Sequence, residues 1–233
     1  MQSPFKLVVF DIAGTTIQDN AAVAETFMYA MQKHGYPIKM QQANAVMGYR
    51  KNLAIENLLM ENYPAALADD TSIINAIHET FNDTMMAFYE SAPIVSTPHA
   101  EEIFNWLKSN GIKVALNTGF SKIITDSILK KIGWLKADFI DFIISSDEVA
   151  NGRPAADMIQ HIMKVTGITD TKTIVKVGDT EVDIAEGRAA GCGLVVSVTT
   201  GSFTKAELLT YHPDAIIDDL MELPACLNMV AVA

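Results

Sequence analysis

Two cysteines in 233 residues, Cys192 and Cys226, are too few for a disulfide framework, and they form no C-x-x-C pair. They read as reduced thiols. Basic residues are also scarce: 17 Lys and Arg against 28 Asp and Glu leave a formal net charge of −11, which disfavours binding to a nucleic-acid backbone. No run reaches the ~18 apolar residues of a membrane span. The N-terminal "MQSPFKLVVF" is too short in apolar length for a signal peptide and is stopped by Asp11. A cytoplasmic protein with neither nucleic acid nor membrane as partner is expected. None of the five histidines has a metal-ligand spacing. What is present is core-forming: 49% hydrophobic and 19% charged residues exclude disorder and allow one large domain or a core with an insert.

The apolar "LVVF", Leu7 to Phe10, predicts a buried central strand. Helical patterns follow in "NAAVAETFMYAMQKHG", with Asn20 as cap and Gly35 as stop, and then in "NLAIENLLMEN" and "TSIINAIHETFNDTMMAFYE". No strand is expected between residues 20 and 90. After "SAPIVSTPH" the chain alternates: a helix at 99–110, the strand "KVALNT", a helix at 121–132, the strand "DFIIS", and a helix from about 154 to 165. The strand "TIVKVGD", the helix "TEVDIAEGRAAG" and the strand "GLVVSVT" follow, and "AELLTYH" and "DAIIDD" continue the pattern. Repeated strand–helix units predict an α/β fold, a doubly wound parallel sheet with helices on both faces. The glycines of "GRAAGCG" fall at a helix end before a strand, the wrong order for a dinucleotide-binding loop.

Four segments carry polar residues at or just beyond predicted strand ends: "FDIAGTT", "LNTGF", "GRPAADM" and "VGDTEVDI". The carboxyl ends of parallel strands are where open α/β sheets bind ligands, and an Asp there can act as a nucleophile. In this order the four motifs resemble the haloacid dehalogenase superfamily of aspartate-nucleophile hydrolases, over nearly the whole chain. The resemblance implies a core of residues 1–16 and 96–233 carrying an all-helical cap at 17–95, with cap and core moving about connections near "TTIQDN" and "SAPIVST". It also implies that Asp11 attacks phosphorus, Thr118 holds a phosphoryl oxygen, and Arg153 balances the carboxylates and the transferred group. Mg²⁺ would be held by Asp11, Asp179, the Ala13 carbonyl and Asp183, the last directly or through water. Oxygen ligands suit Mg²⁺, and phosphoryl transfer depends chiefly on alignment and charge neutralisation.

Ala13 narrows the resemblance. Phosphatases of the superfamily carry an Asp at that position as general acid and base, whereas the phosphonatase branch has Asp-x-Ala-Gly-Thr and Gly-Arg-Pro, as here. Dehalogenases also lack the acid but need no Mg²⁺, which Asp179 and Asp183 argue against. Cleaving a P–C bond expels a carbanion, so an electron sink is needed in place of a proton donor. A lysine that condenses with the neighbouring carbonyl supplies one. The branch carries it within Met-Gly-x-x-Lys, and "MGYRK" makes Lys51 the candidate. An ordinary Lys has a pKa of about 10.4, so Lys51 would need burial or a close cation, and adjacent Arg50 faces another way on a helix. The same resemblance puts Thr15, Met47, Gly48 and Gly119 against substrate and allows a homodimer through the cap. The branch's His three residues after the lysine is Ala54 here, its Tyr after Thr-Gly is Phe120, and its early cap Cys is Ala21. These departures bear on the substrate more than on the fold. The expected activity is hydrolysis of a small carbonyl-bearing phosphonate such as phosphonoacetaldehyde. The alternatives are a phosphatase of a small phosphorylated metabolite, of the phosphoglycolate phosphatase kind, and a non-catalytic phospho-ligand-binding protein.

Overall fold

In the computed structural model, which describes residues 3–69 and 72–227, the strand–helix alternation builds a single parallel sheet. Leu7–Phe10 (β1) is wholly buried, as an apolar run without polar alternation requires of a central strand. Five helices follow: Ala22–Lys33 (α1), Met40–Asn44 (α2), Lys51–Asn62 (α3), Ala66–Asp69 (α4) and Ser72–Ser91 (α5). Among the described residues no strand lies between 20 and 90, as expected; Thr71, where the last of these helices was expected to begin, lies outside them. Then come Ala100–Ser109 (α6), Lys113–Thr118 (β2), Lys122–Lys131 (α7), Phe142–Ser145 (β3), Asp157–Thr166 (α8) and Ile174–Gly178 (β4). Glu181–Ala190 (α9), Leu194–Val198 (β5), Lys205–Thr210 (α10), Ala215–Ile217 (β6) and Leu223–Cys226 (α11) complete the described chain.

The strands pair in the order β3-β2-β1-β4-β5-β6, every pair parallel. Winding reverses at β1, which has β2 on one side and β4 on the other, so a crevice opens at the carboxyl ends of these strands. Period-two alternation sends Leu7 and Val9 into one apolar layer, with Met158, Ile159 and Ile162 of α8, and Val8 and Phe10 into the other. The second layer continues without a break through Phe104 of α6 into the helical segment, where Phe27 and Phe81 pack with ring centroids 4.6 Å apart.

One expected cap is corrected. Asn20 (φ 46°) and Ala21 (φ 65°) are both left-handed, turning the chain sharply into α1, and no side chain caps at the N-cap position itself. Asp19 takes the role expected of Asn20, its Oδ1 accepting from the Val23 amide at 3.1 Å. Gly35 (φ 88°) ends the segment as expected. The two connections to the helical segment are paired with each other. The Gln18 amide donates to the Val95 carbonyl (2.9 Å), the Thr97 amide to the Thr16 carbonyl (3.0 Å), and Ile17 bridges Ser96.

Candidate active site

β1, β2 and β4 deliver Asp11, Thr118 and Asp179 to one edge of the sheet, where they wall a narrow cavity of about 20 Å³ together with Ala13 and Gly119. Met47, Gly48 and Lys51 close it from the helical segment. Of the expected site residues, Thr15, Arg153 and Asp183 do not line this cavity; they stand behind the residues that do. Thr15, expected against substrate, is fully buried, and its hydroxyl donates to Asp179 Oδ1 (3.1 Å). The Ser202 amide holds Asp179 Oδ2 (2.7 Å), so both oxygens of that carboxylate are aimed by the protein. Thr118 Oγ1 accepts from the Phe120 amide at 3.2 Å, which orients the hydroxyl at the cavity wall.

One carboxylate oxygen from each of Asp11, Asp179 and Asp183 lies within 4.8 Å of the others. Burial drives the Asp11 and Asp179 carboxyls above the usual carboxylate range, and the mutual repulsion of the cluster adds to the rise. Burial acts on Asp183 in the same direction, but Lys176 and Arg153 outweigh it and hold that group low. Three oxygen donors crowded in a dry site fit a hard divalent cation, and the residues present suit such a group. Asp183 is the most fully occupied of the three. Its Oδ1 faces Lys176 Nζ (2.9 Å) and Arg153 Nη1 (3.2 Å), and its Oδ2 accepts from the hydroxyl and amide of Thr180 (2.7 and 3.2 Å).

Arg153 has no exposed surface. Its Nη1 donates to Asp11 Oδ1, its Nε to Glu186 Oε2 (3.1 Å), and its Nη2 to the carbonyl and side-chain oxygens of Asn117. Its balance of the carboxylates is therefore by direct contact from behind Asp11. Lys176, Glu186 and Asn117 belong to the same buried network and were not foreseen from sequence: Lys176 Nζ reaches Glu186 Oε2 at 3.4 Å and Asn117 Oδ1 at 2.9 Å. The signal was a lysine in the middle of a strand buried on both faces, which has to be paired.

Lys51 opens α3 and is only 4% exposed. Its Nζ lies over the rings of Phe120, Phe27 and Phe81 (4.8, 5.4 and 5.9 Å) and 3.4 Å from the Tyr49 carbonyl. Burial pushes its pKa down to about 8, against the pull of Asp11 and with the help of Arg153. Arg50 is turned away to the Ala150 carbonyl (2.9 Å), so the cation that assists is Arg153. Rings that exclude water from the amine also attract its charged form face-on, which opposes the downward push of burial.

Two glycines set how closely the helical segment meets the sheet side. A Cβ on Gly119 would stand 2.5 Å from the Tyr49 carbonyl oxygen, and one on Gly48 (φ 84°) 2.5 Å from Thr180 Oγ1. Gly119 has no positive-φ requirement, so Gly119→Ala tests the approach alone. A displacement of ~1 Å at the cavity mouth is expected to lower kcat/KM about 100-fold, with little change in the thermal unfolding midpoint. Unchanged kinetics would show that the seam does not need this contact.

The sequence model of the haloacid dehalogenase-like hydrolase family matches residues 5–191. The chain is 29% identical to a phosphonoacetaldehyde hydrolase from Latilactobacillus sakei, covering 94% of each protein. Among solved structures, a phosphonoacetaldehyde hydrolase-like protein from Oleispira antarctica superposes with a TM-score of 0.84 at 21% identity, over 98% of this chain and 94% of that one. A predicted phosphoglycolate phosphatase from Haemophilus somnus gives 0.78 at 19%, over 97% and 99%.

Proposed function

We propose that this chain, which belongs to the haloacid dehalogenase-like hydrolase family, is an Mg²⁺-dependent hydrolase that cleaves the P–C bond of a small carbonyl-bearing phosphonate such as phosphonoacetaldehyde. The observation that carries the reading is Lys51: a dry, ring-enclosed amine with its pKa lowered to about 8, on the wall of the cavity that holds Asp11. In this reading residues 1–16 and 96–233 form the catalytic core and 17–95 a cap that presents Lys51.

Lys51 Nζ adds to the carbonyl carbon, and loss of water leaves a protonated imine. Arg153 fixes Asp11 Oδ1, leaving Oδ2 to attack phosphorus. As that P–O bond forms, the P–C bond breaks, and its electron pair passes into the imine to give an enamine. Protonation at carbon and hydrolysis release the aldehyde and free Lys51. Water then cleaves the aspartyl-phosphate and restores Asp11. Thr118, with its hydroxyl set by the Phe120 amide, binds a phosphoryl oxygen. Asp11, Asp179 and the Ala13 carbonyl would hold Mg²⁺, with Asp183 acting directly or through water. The bound cation supplies charge neutralisation between an anionic nucleophile and an anionic phosphoryl group. The two free cysteines and the absence, among the described residues, of a helix able to cross a membrane fit a cytoplasmic setting.

A second reading, a phosphatase of a small phosphorylated metabolite, draws support from Asp19. Burial raises the pKa of this carboxyl against the pull of the Val23 amide and Lys51, and it stands where the chain enters the helical segment. Assay with phosphonoacetaldehyde beside a panel of phosphomonoesters, with and without Mg²⁺, separates the two. Efficient ester hydrolysis without phosphonate cleavage would replace the first reading by the second.

Chelation is expected to abolish turnover, and Mg²⁺ to restore it. Added Mg²⁺ should also raise the thermal midpoint of the wild type, because it binds only the folded site. Asp179→Asn is expected to demand about 10–100-fold more Mg²⁺ for the same shift. An unaltered shift in that variant would remove Asp179 from the ligand set.

A further inference from the structure

The cavity at Asp11 holds about 20 Å³, room for about one water. No phosphorus-bearing organic molecule fits there, so its walls have to part before a substrate enters. A second cavity, of about 220 Å³, shares Lys51, Gly119 and Phe120 with the first and has Asn52 and His78 on its wall. Asp11 is not among its lining residues, so it gives no room at that carboxylate. The structure is therefore a closed state, and its seam runs where residues 47–51 meet the segments that follow β2 and β4.

Tyr49 lies in the middle of that turn and makes two separate contacts. Its carbonyl accepts from Lys51 Nζ (3.4 Å) and packs so closely on Gly119 that a Cβ there would stand 2.5 Å away. Its hydroxyl donates to Glu181 Oε1 at 3.0 Å. Glu181 opens α9, the helix that follows Asp179 and carries Asp183. One residue of the helical segment thus holds the amine with its main chain and, with its side chain, the element that presents the acidic cluster. Burial and Glu181 push the Tyr49 phenol up to about 12, so it remains a donor at any ordinary pH. Tyr211 lines a groove together with Glu181, and its phenol is raised chiefly by a hydrogen bond to the same carboxylate, which is thereby steadied from the sheet side as well.

We propose that Tyr49 is a positioning residue, its hydroxyl on Glu181 being the tether that keeps Lys51 closed over Asp11. The role of Lys51 in catalysis rests on the reading given above; the tether is tested without substrate. Lys51 is only 4% exposed, so a neutral acetylating reagent, N-acetoxysuccinimide, meets its amine only when the seam opens. Peptide mass spectrometry of the intact protein reads the acetylation rate of Lys51, with exposed Lys205 as the reference for reagent and wholly buried Lys176 as the reference for global unfolding. Tyr49→Phe is expected to raise the Lys51 rate about fivefold to tenfold, the equivalent of one hydrogen bond to a carboxylate, with Lys176 unchanged. Glu181→Ala should do the same, Glu181→Gln should fall between it and the wild type because an acceptor oxygen remains, and Tyr49→Phe with Glu181→Ala should go no further than either alone. An unchanged Lys51 rate in Tyr49→Phe, a matching rise at Lys176, or effects of the two substitutions that multiply would overturn the tether. Failure of the carbonyl chemistry shows separately, as intact phosphonoacetaldehyde in the turnover assay.

Discussion

Asp11→Asn is expected to abolish turnover and covalent phosphorylation while leaving the protein folded. The amide is close to isosteric and keeps an oxygen for Arg153 Nη1, so the network of Asp183, Glu186, Lys176 and Asn117 behind it need not rearrange. What is lost, on the proposed reading, is the nucleophile, and removal of a covalent nucleophile typically costs about 10⁴-fold or more. The sign of the stability effect can be worked out as well. Burial raises the Asp11 carboxyl above its ordinary pKa, so the ionised form is the one folding disfavours, and a neutral isostere relieves that strain. The thermal midpoint of the metal-free variant should equal or exceed that of the wild type. Mass spectrometry of quenched turnover mixtures reads the phosphorylated peptide directly. Retained phosphorylation in Asp11→Asn would exclude the aspartyl-phosphate route.

Lys51→Arg is expected to lose nearly all phosphonate cleavage, because arginine keeps the positive charge but cannot form the imine at neutral pH. In the wild type, borohydride added with phosphonoacetaldehyde should trap a secondary amine on Lys51; the variant should show none. The pH profile follows from the lowered pKa of about 8. Below that value the amine is mostly protonated and each unit of acidification removes about a tenfold share of the reactive form. Therefore kcat/KM should rise with pH through about 8 and then level. An ordinary exposed lysine would keep rising towards ~10.4. Wild-type activity in Lys51→Ala, with no trapped adduct, would reject the imine mechanism and favour the phosphatase reading.

Much of the scaffold was legible because its signals are local. "KVALNT" is β2 residue for residue, since a run with a buried apolar middle can do little else between two helical patterns. α2 and α4 were not foreseen: five and four residues are too short to show a helical period, and tertiary packing stabilises them. The motif residues Asp11, Thr118 and Asp179 converge because the parallel winding puts their strand ends side by side. The inward turn of the Thr15 hydroxyl to Asp179 leaves no mark in its sequence position. His78 and Asn52 carried no signal at all. They come to one cavity wall through the packing of α3 against α5, a relation invisible in any window of sequence.

The paired connections have a consequence for how such a molecule changes over evolutionary time. Because Gln18 and Val95 are hydrogen-bonded neighbours, the whole excursion leaves and rejoins the sheet at one doorway. Segments with adjacent ends are exchanged with little disturbance to the scaffold that hosts them. Met47, Gly48 and Lys51 enter through that doorway, whereas Asp11, Thr118 and Asp179 do not. On the proposed reading, a new excursion grafted at the same doorway would exchange Lys51 while leaving Asp11, Thr118 and Asp179 in place.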